Sequence, residues 1–394
     1  MSKTVLRIFL IAGEHSGDIL GAKLITAIRT LTDLPLELGG VGGEHMAAAG
    51  LESIFPLSDV AVMGPFQILK RLPPIIRRVY QTVDAALAFE PDIVVIVDSP
   101  EFTHPIAKRI RRRRADIPII DYVSPTVWAW RPGRARKMKP YVDHLLALLP
   151  FEPEAHARLG GPPCTYIGHS LVEELDWIQG IDCTELASRL DLDPSLPVLA
   201  VLPGSRKSEV EKLVAVFGET LELLGRSGRP FEVIVPTVPW VRPLLEKDIA
   251  AWSVRPHLVE GRADMFSAFR LARCALAASG TVTLELAAAG VPMAVAYKVD
   301  PVTAFVMRRL VTAHSAVLPN LILGRNAFPE FIQQDCRPEK LAATLAPLFD
   351  DSGERQLQLA ALAEVEDRLR AAGGSPSRVA AAIVLDHLMA DRRG

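Results

Sequence analysis

Four short runs place acids, hydroxyls and glycines where an apolar strand-like segment gives way to a helical pattern. The first is Gly13-Glu14-His15-Ser16-Gly17-Asp18, directly after the apolar residues 6–11. Open α/β sheets bind ligands at the carboxyl ends of their strands. Gly13 and Gly17 permit tight backbone turns, and Ser16 and Asp18 can cap the following helix. Three polar side chains between two glycines exceed what capping requires, so the turn reads as ligand-facing. The second run is Val97-Asp98-Ser99-Pro100. Asp98 ends a central apolar strand on the same edge as Glu14 and Asp18. Burial there is expected to raise its pKa and make it a usable general base. A plain helix start with Pro100 as its first residue explains the same letters equally well.

The third run is Leu202-Pro203-Gly204-Ser205-Arg206-Lys207-Ser208-Glu209, and the fourth is Ala278-Ser279-Gly280-Thr281-Val282-Thr283-Leu284-Glu285. Backbone N–H groups at a helix start favour an anion, and Arg206 adds a cation whose fork fits phosphate oxygens. Glu285 lies about one turn inside the next helix, placed to accept from a pair of sugar hydroxyls, although helix starts favour acids in any case. Two phosphate-type turns in one half of the chain point to a nucleotide diphosphate. Other chemistries are excluded. There is no Gly-Lys-Ser/Thr, no Gly-x-Ser-x-Gly and no His-Glu-x-x-His. The stretch Gly40-Val41-Gly42-Gly43-Glu44-His45 follows the second strand rather than the first and lacks the third glycine of a dinucleotide fingerprint. Asp191 and Asp193 form the one Asp-x-Asp, read as a solvated turn before Pro194; no metal or other cofactor is expected.

The elements that position these turns alternate along the chain of 394 residues. Strand candidates lie at 6–11, 36–41, 93–97, 117–123 and 144–148, and again at 198–202, 232–235, 257–259, 274–277 and 293–297. Most are apolar on both faces, as buried parallel strands are. Helical patterns separate them, so the fold class is α/β with two Rossmann-like parallel-sheet domains. The expected division is 1–170, 171–350 and an all-helical tail at 351–394, with the hinge near 168–172. Four scattered cysteines without a Cys-x-x-Cys pair fit a reducing cytoplasm rather than a disulfide scaffold. The formal charge of -2 offers nothing to nucleic acid, but residues 60–150 hold 15 Lys or Arg against 8 Asp or Glu. That asymmetry points to an anionic partner for the first half. No segment has the length and apolarity of a spanning helix.

Taken in order, Gly13–Asp18, Val97-Asp98-Ser99-Pro100-Glu101-Phe102, Ser124-Pro125-Thr126-Val127-Trp128-Ala129-Trp130, Leu202-Pro203-Gly204-Ser205-Arg206, Ser279-Gly280-Thr281 and Leu318-Pro319-Asn320 resemble the lipid-A-disaccharide synthase family of GT-B glycosyltransferases. The resemblance runs from residue 6 to about residue 388. It implies an inverting transfer from UDP-2,3-diacylglucosamine to 2,3-diacylglucosamine 1-phosphate, giving a β-1,6-linked disaccharide 1-phosphate and UDP without a nucleotide-bound metal. It assigns Asp98 as the catalytic acid/base and Arg206 to the donor site. Ser205, Ser279, Gly280 and Thr281 join Arg206 there, with Glu285 facing the ribose and Asn320 supplied by the Leu-Pro-Asn motif. Glu14, Ser16 and Asp18 face the acceptor in the cleft between the domains. His15 departs from the small residue expected at its position. Another GT-B transferase would share the second-half turns but not Gly13–Asp18 or Ser124–Trp130. A non-catalytic nucleotide-sugar or lipid-binding module would have no use for Asp98.

Acylated substrates imply peripheral contact with an anionic membrane, on the cytoplasmic face of the inner membrane. The candidate patch is Val62, Met63, Phe66, Leu69, Leu72 and Ile76, interleaved with Lys70, Arg71, Arg77 and Arg78. Pro65, Pro73 and Pro74 are expected to divide it into short helices. The run at 108–114, six basic residues in seven, reads equally as head-group attraction or as a solvated helix face. The tail is expected to brace the first domain through Leu362, Val365, Leu369, Val384 and Leu388, with a domain-swapped homodimer as one such arrangement.

Overall fold

The structure, a computed structural model, describes residues 5–61 and 65–390, with the side chains of 65–71, 302, 306, 308 and 390 excepted. It divides into two units, residues 1–170 with 369–394 and residues 171–368.

The first unit holds a seven-stranded sheet in the order β3-β2-β1-β4-β5-β6-β7. Its strands are β1 (Leu6–Ala12), β2 (Leu36–Val41), β3 (Glu52–Ser53), β4 (Ile93–Val97), β5 (Ile119–Tyr122), β6 (His144–Ala147) and β7 (Cys164–Tyr166), and every pairing is parallel. The period of two sends alternate side chains to opposite faces. Leu6, Ile8, Leu10, Ile93, Val95 and Val97 pack on one side with the helices His15–Leu31 and Pro376–Ala390. Phe9, Ile11, Val94 and Ile96 pack on the other with Pro65–Phe89 and Pro100–Arg113. Both faces are covered, which is why these strands read as unbroken apolar runs.

The second unit repeats the design with six strands in the order β10-β9-β8-β11-β12-β13. These are β8 (Val198–Leu202), β9 (Glu232–Thr237), β10 (His257–Glu260), β11 (Ala272–Ala278), β12 (Met293–Tyr297) and β13 (Glu330–Ile332). Leu199, Val201, Val233 and Val235 face the helix Lys207–Gly225, while Val198 and Ile234 face the opposite layer. The expected strands are all present. The additional ones, β3, β7 and β13, are edge strands of two or three residues.

Two expectations need correction. The tail divides at 368/369 rather than at 351. Its first helix, Gly353–Leu369, is tied into the second unit: Gln358 accepts from the Met293 N–H at 2.7 Å, and Arg368 donates to the Ile322 carbonyl at 2.7 Å. Only the last helix returns to the first unit, where Ala380, Ala381, Val384 and Leu388 are buried with Leu20, Leu24 and Ile28. Second, Pro73 and Pro74 lie inside one helix, Pro65–Phe89. A proline fixes φ near the helical value and removes one N–H, so a helix survives it when packing compensates. Here Val79, Val83 and Ala86 are buried one to three turns later. The basic run, for which two readings stood equal, spends three of its six cations on pairs within the protein. Arg111 pairs with Asp143, Arg113 with Asp84 at 2.8 Å and Arg114 with Asp116 at 2.7 Å. It is the last turn and end of the helix Pro100–Arg113, where cations suit the dipole.

Truncation after Ala372 is therefore expected to give an insoluble chain. It deletes Val384 and Leu388 and uncovers the 15–31 helix face, at about 1.5–3 kcal/mol per side chain returned to water. Solubility and a sizing column check this; a folded, monodisperse and active product would overturn it.

Candidate active site

In each unit the strand order reverses next to a central strand, and ligands bind outside the carboxyl ends of the strands at such a point. In the first unit the reversal lies between β1 and β4, so the turns at 13–18 and 98–99 are neighbours. The Ser16 hydroxyl donates to Asp98 Oδ2 at 3.3 Å. Gly13 is obligatory: a Cβ there would stand 2.5 Å from Ser99 Cβ. Glu14 and Ser16 are exposed.

Asp98 and Ser99 both have left-handed backbones, with φ 54° and 46°. Such conformations are costly outside glycine and persist where the surroundings over-determine them. The Asp98 N–H donates to the Tyr122 carbonyl at 2.9 Å, and Thr103 Oγ1 donates to the Asp98 carbonyl at 2.8 Å. Asp98 Oδ1 accepts from the Ser99 N–H at 2.7 Å. The helix begins at Pro100 as expected, but the Ser99 side chain does not cap it. Asp98 is half-buried rather than enclosed, which corrects the expectation of burial. Val123 and Arg131, with φ 94° and 55°, flank the 124–130 loop after β5. Backbone strain thus gathers around the carboxyl edge of β4 and β5.

Asp18 is corrected from a cleft-facing residue to a structural one. It is fully buried, and its carboxylate accepts from the N–H groups of Gly43 (2.7 Å), His45 (3.0 Å) and Met46 (2.9 Å). It holds the turn after β2 in place. His15 and His45 are exposed beside it, with ring centroids 5.2 Å apart. The ligand atoms of these three residues lie within 4.8 Å of one another, and this is the one metal-like grouping among the described residues. The three N–H bonds already account for the buried carboxylate.

In the second unit the reversal lies between β8 and β11, which brings together the turns at 203–206 and 279–281. Gly204 has φ 121°, and a Cβ there would meet Glu209 Cβ at 2.6 Å. Ser205 and Arg206 are exposed. The N–H groups of both donate to Glu209 Oε2 at 3.2 Å, and the Arg206 guanidinium reaches Glu209 Oε1 at 3.0 Å. A carboxylate thus occupies the position in which an anion was expected. Trp240, 66% exposed, donates its ring N–H to the Ser205 carbonyl at 3.0 Å. Gly280, at φ 148°, has open space where a Cβ would stand, and Thr281 is exposed. The Ser279 hydroxyl donates to the Ala316 carbonyl at 2.6 Å. Glu285 lies 3.7 Å from Arg262, which pairs also with Glu174. Burial raises the Glu285 pKa, with Arg262 opposing and Glu174 reinforcing the shift.

Asn320 requires the same correction as Asp18. It is fully buried; its amide donates to the Phe328 carbonyl at 2.8 Å and to Ser315 Oγ at 3.3 Å, and accepts from the Ala327 and Phe328 N–H groups at 2.9 Å. All its side-chain hydrogen-bonding capacity goes to closing the 315–328 segment, which leaves none for a ligand. Asp193 accepts from the Ser195 N–H at 2.8 Å, as the turn reading required.

Two buried networks escape sequence reasoning. His104 Nε2 lies 3.2 Å from Asp121 Oδ2, and its Nδ1 lies 3.1 Å from the Tyr141 hydroxyl. Asp121 is held above the usual carboxylate range by burial, which His104 opposes. The other is Ser124–His156 at 2.9 Å, with Trp128 Nε1 donating to Glu152 at 3.0 Å. The bonded partners are 17 to 37 residues apart on different elements, so no spacing announces the pairs.

Of the apolar patch, Val62 and Met63 lie outside the described residues, as do the side chains of Phe66 and Leu69. Leu72 and Ile76 are exposed at 43% and 47%. No helix among the described residues is long and apolar enough to cross a membrane.

The family model for lipid-A-disaccharide synthetase matches residues 8–384. A lipid-A-disaccharide synthase of Nitrobacter hamburgensis is 49% identical over 98% of this chain and 96% of its own length. One from Bradyrhizobium diazoefficiens is 47% identical over 98% of each chain. Among solved structures, UDP-GlcNAc 2-epimerase from Neisseria meningitidis bound to UDP-GlcNAc superposes with a TM-score of 0.61 at 13% identity, covering 98% of this chain and 100% of that one. A glycosyltransferase from Rickettsia africae gives 0.60 at 11% over 99% of each. Those structural likenesses establish the GT-B-like fold of two parallel-sheet units.

Proposed function

Because the chain belongs to the lipid-A-disaccharide synthetase family, and is thus a glycosyltransferase of lipid A biosynthesis, we propose that it joins UDP-2,3-diacylglucosamine to 2,3-diacylglucosamine 1-phosphate. The observation that carries this reading is the family match from residue 8 to residue 384, which includes every turn described above. The acceptor's primary hydroxyl attacks the donor's anomeric carbon from the face opposite the diphosphate. Asp98 takes the hydroxyl proton as the new bond forms, the bond from the anomeric carbon to the diphosphate oxygen breaks, and UDP leaves. The configuration inverts, and the product is the β-1,6 disaccharide 1-phosphate.

Ser16 donates to Asp98 and orients its carboxylate. Exposed Glu14 faces the acceptor hydroxyls, while Asp18 fixes the turn from below. Arg206, the Ser205 backbone and the 279–281 turn receive the charge that develops on the departing diphosphate. Glu285 accepts from ribose hydroxyls. The acyl chains keep both substrates in a bilayer, at about 0.8 kcal/mol per CH₂ removed. The enzyme accordingly works at the cytoplasmic face of the inner membrane, resting on the 62–76 segment. A homodimer that exchanges its terminal helices remains compatible with this scheme. UDP release from the acylated donor, with and without the monosaccharide acceptor, tests the function. Release that does not depend on acceptor would refute it.

Arg206→Ala is expected to weaken UDP binding by about 1.5–3 kcal/mol, through loss of a charge-assisted contact to phosphate. The exposed Arg206–Glu209 pair that the ligand displaces is worth at most about 1 kcal/mol. Calorimetric titration with UDP measures the difference; unchanged affinity in a folded variant would remove Arg206 from the donor site.

A further inference from the structure

The helix Pro301–Leu310 follows β12 in the second unit and presents large apolar side chains to solvent. Phe305 is 60% exposed, Leu310 49% and Met307 37%, while Ala304 is buried against the unit. Monomeric proteins seldom spend three large apolar residues of one short helix on water. Its charge is as uneven as its apolarity. Between 298 and 310 the chain carries Lys298, Arg308 and Arg309 against the single acid Asp300. That acid is already engaged, since Asp300 Oδ1 accepts from the Thr303 N–H at 2.9 Å and caps the helix start. The Arg309 guanidinium lies 3.7 Å from the Phe305 ring centroid, over its face. Among the described residues no acid pairs with Arg309, and the cation accompanies the apolar group.

A helix of ten residues is too short to span a bilayer. Large apolar side chains with basic companions are the composition of a helix that lies in the head-group layer. We infer that Pro301–Leu310 is a membrane-surface helix that inserts Phe305, Met307 and Leu310 among acyl chains and sets Arg309 against anionic head groups. This inference rests on the proposed function, which brings the enzyme to a lipid surface. It gives the second unit its own lipid contact, separate from the 62–76 segment. The occupant is the anionic bilayer, because the unbalanced cations beside the apolar residues complement it and would leave a second copy of the same basic helix repelled.

The test is co-sedimentation with vesicles of phosphatidylglycerol and phosphatidylethanolamine, and with phosphatidylcholine alone. No sugar substrate is present, so a failed transferase assay and a failed insertion are told apart. Phe305→Ser/Met307→Ser/Leu310→Ser should lower binding to the anionic vesicles by about tenfold. UDP affinity and circular dichroism should be retained. Parent-like pelleting by the folded variant would overturn the inference. So would a parent that is oligomeric on a sizing column while the variant is monomeric, since the face would then be covered by protein. Phe305→Trp keeps an aromatic group at the position and so remains informative if the triple variant fails to fold. Vesicles with brominated acyl chains should quench its fluorescence beyond that of the parent, which already contains five tryptophans; no added quenching places residue 305 outside the bilayer.

Discussion

Asp98→Asn is expected to lower turnover about 100-fold or more while UDP affinity is retained. The asparagine keeps the size of the side chain, and its carbonyl oxygen still accepts from Ser99 N–H or Ser16. What it loses is the capacity to take a proton from the attacking hydroxyl. The left-handed backbone at Asp98 and Ser99 makes this substitution a clean one. Asparagine tolerates positive φ at least as well as aspartate, whereas alanine would add backbone strain to the chemical loss. The proposed scheme puts UDP on turns of the other unit, so its affinity should not respond. The measurement is turnover under saturating donor and acceptor, beside a calorimetric UDP titration. Near-normal turnover would return Asp98 to a purely structural role at the β4 end. A matched Ser16→Ala variant should show a smaller loss, because it leaves the base present and only less well oriented.

Much of this geometry was legible because the physics that writes it is local. A strand such as Ile93–Val97 is buried on both faces, so all five residues are apolar. The acid that ends it is conspicuous for that reason. The turns at 13–18, 203–206 and 279–281 combine glycine with hydroxyls just past such strands, and the parallel order places each beside its strand's reversal point. Illegible were the roles decided by partners distant in sequence. Asp18 looks like any first-turn acid until Gly43, His45 and Met46 bring their N–H groups to it. Asn320 reads as a donor-site member of a Leu-Pro-Asn motif, yet the chain folds back at 327–328 and uses all of its amide.

Glu209 was legible and missed. It stands three residues after the N-cap position Arg206, the spacing of a capping box, and its carboxylate meets the N–H groups that a phosphate would seek. The prolines at 73 and 74 misled in the other direction. The local rule predicts a break, but the following turns are buried by Val79, Val83 and Ala86, and tertiary packing carries the helix through. The short edge strands have too few residues to show any period.

The Ser124–His156–Glu152 network yields the other large expected effect, in the pH dependence of stability. Burial pushes Glu152 from 4.5 up to about 7, against the N–H donors of Trp128 and Leu149. Burial pushes His156 from 6.5 down to about 4, and its Nδ1 has no partner among the described residues. The two shifts act with opposite sign. The folded state holds the Glu152 proton longer than the unfolded chain does, so that contribution is complete below pH 4.5 and is lost as pH rises through about 7. The folded state keeps His156 neutral, so its contribution is complete above pH 6.5 and is lost as pH falls through about 4. Between pH 4.5 and 6.5 the slopes cancel, and the parent should be nearly indifferent to pH. Glu152→Gln removes one of the two. The remaining His156 contribution should make this variant's stability rise with pH over that window by an amount approaching about 3 kcal/mol. The variant also starts lower at neutral pH by about 1–3 kcal/mol, because an amide nitrogen must face one of the two N–H donors. His156→Gln should show the reverse slope, and the double variant should be flat again. Urea unfolding of the four proteins across the window is the measurement, and parent-like slopes in both single variants would remove the coupling. The functional consequence runs through Trp128, whose ring N–H is bound to Glu152. As pH rises through about 7 the Glu152 carboxyl ionises, and the same pH rise that costs stability strengthens its hold on that indole.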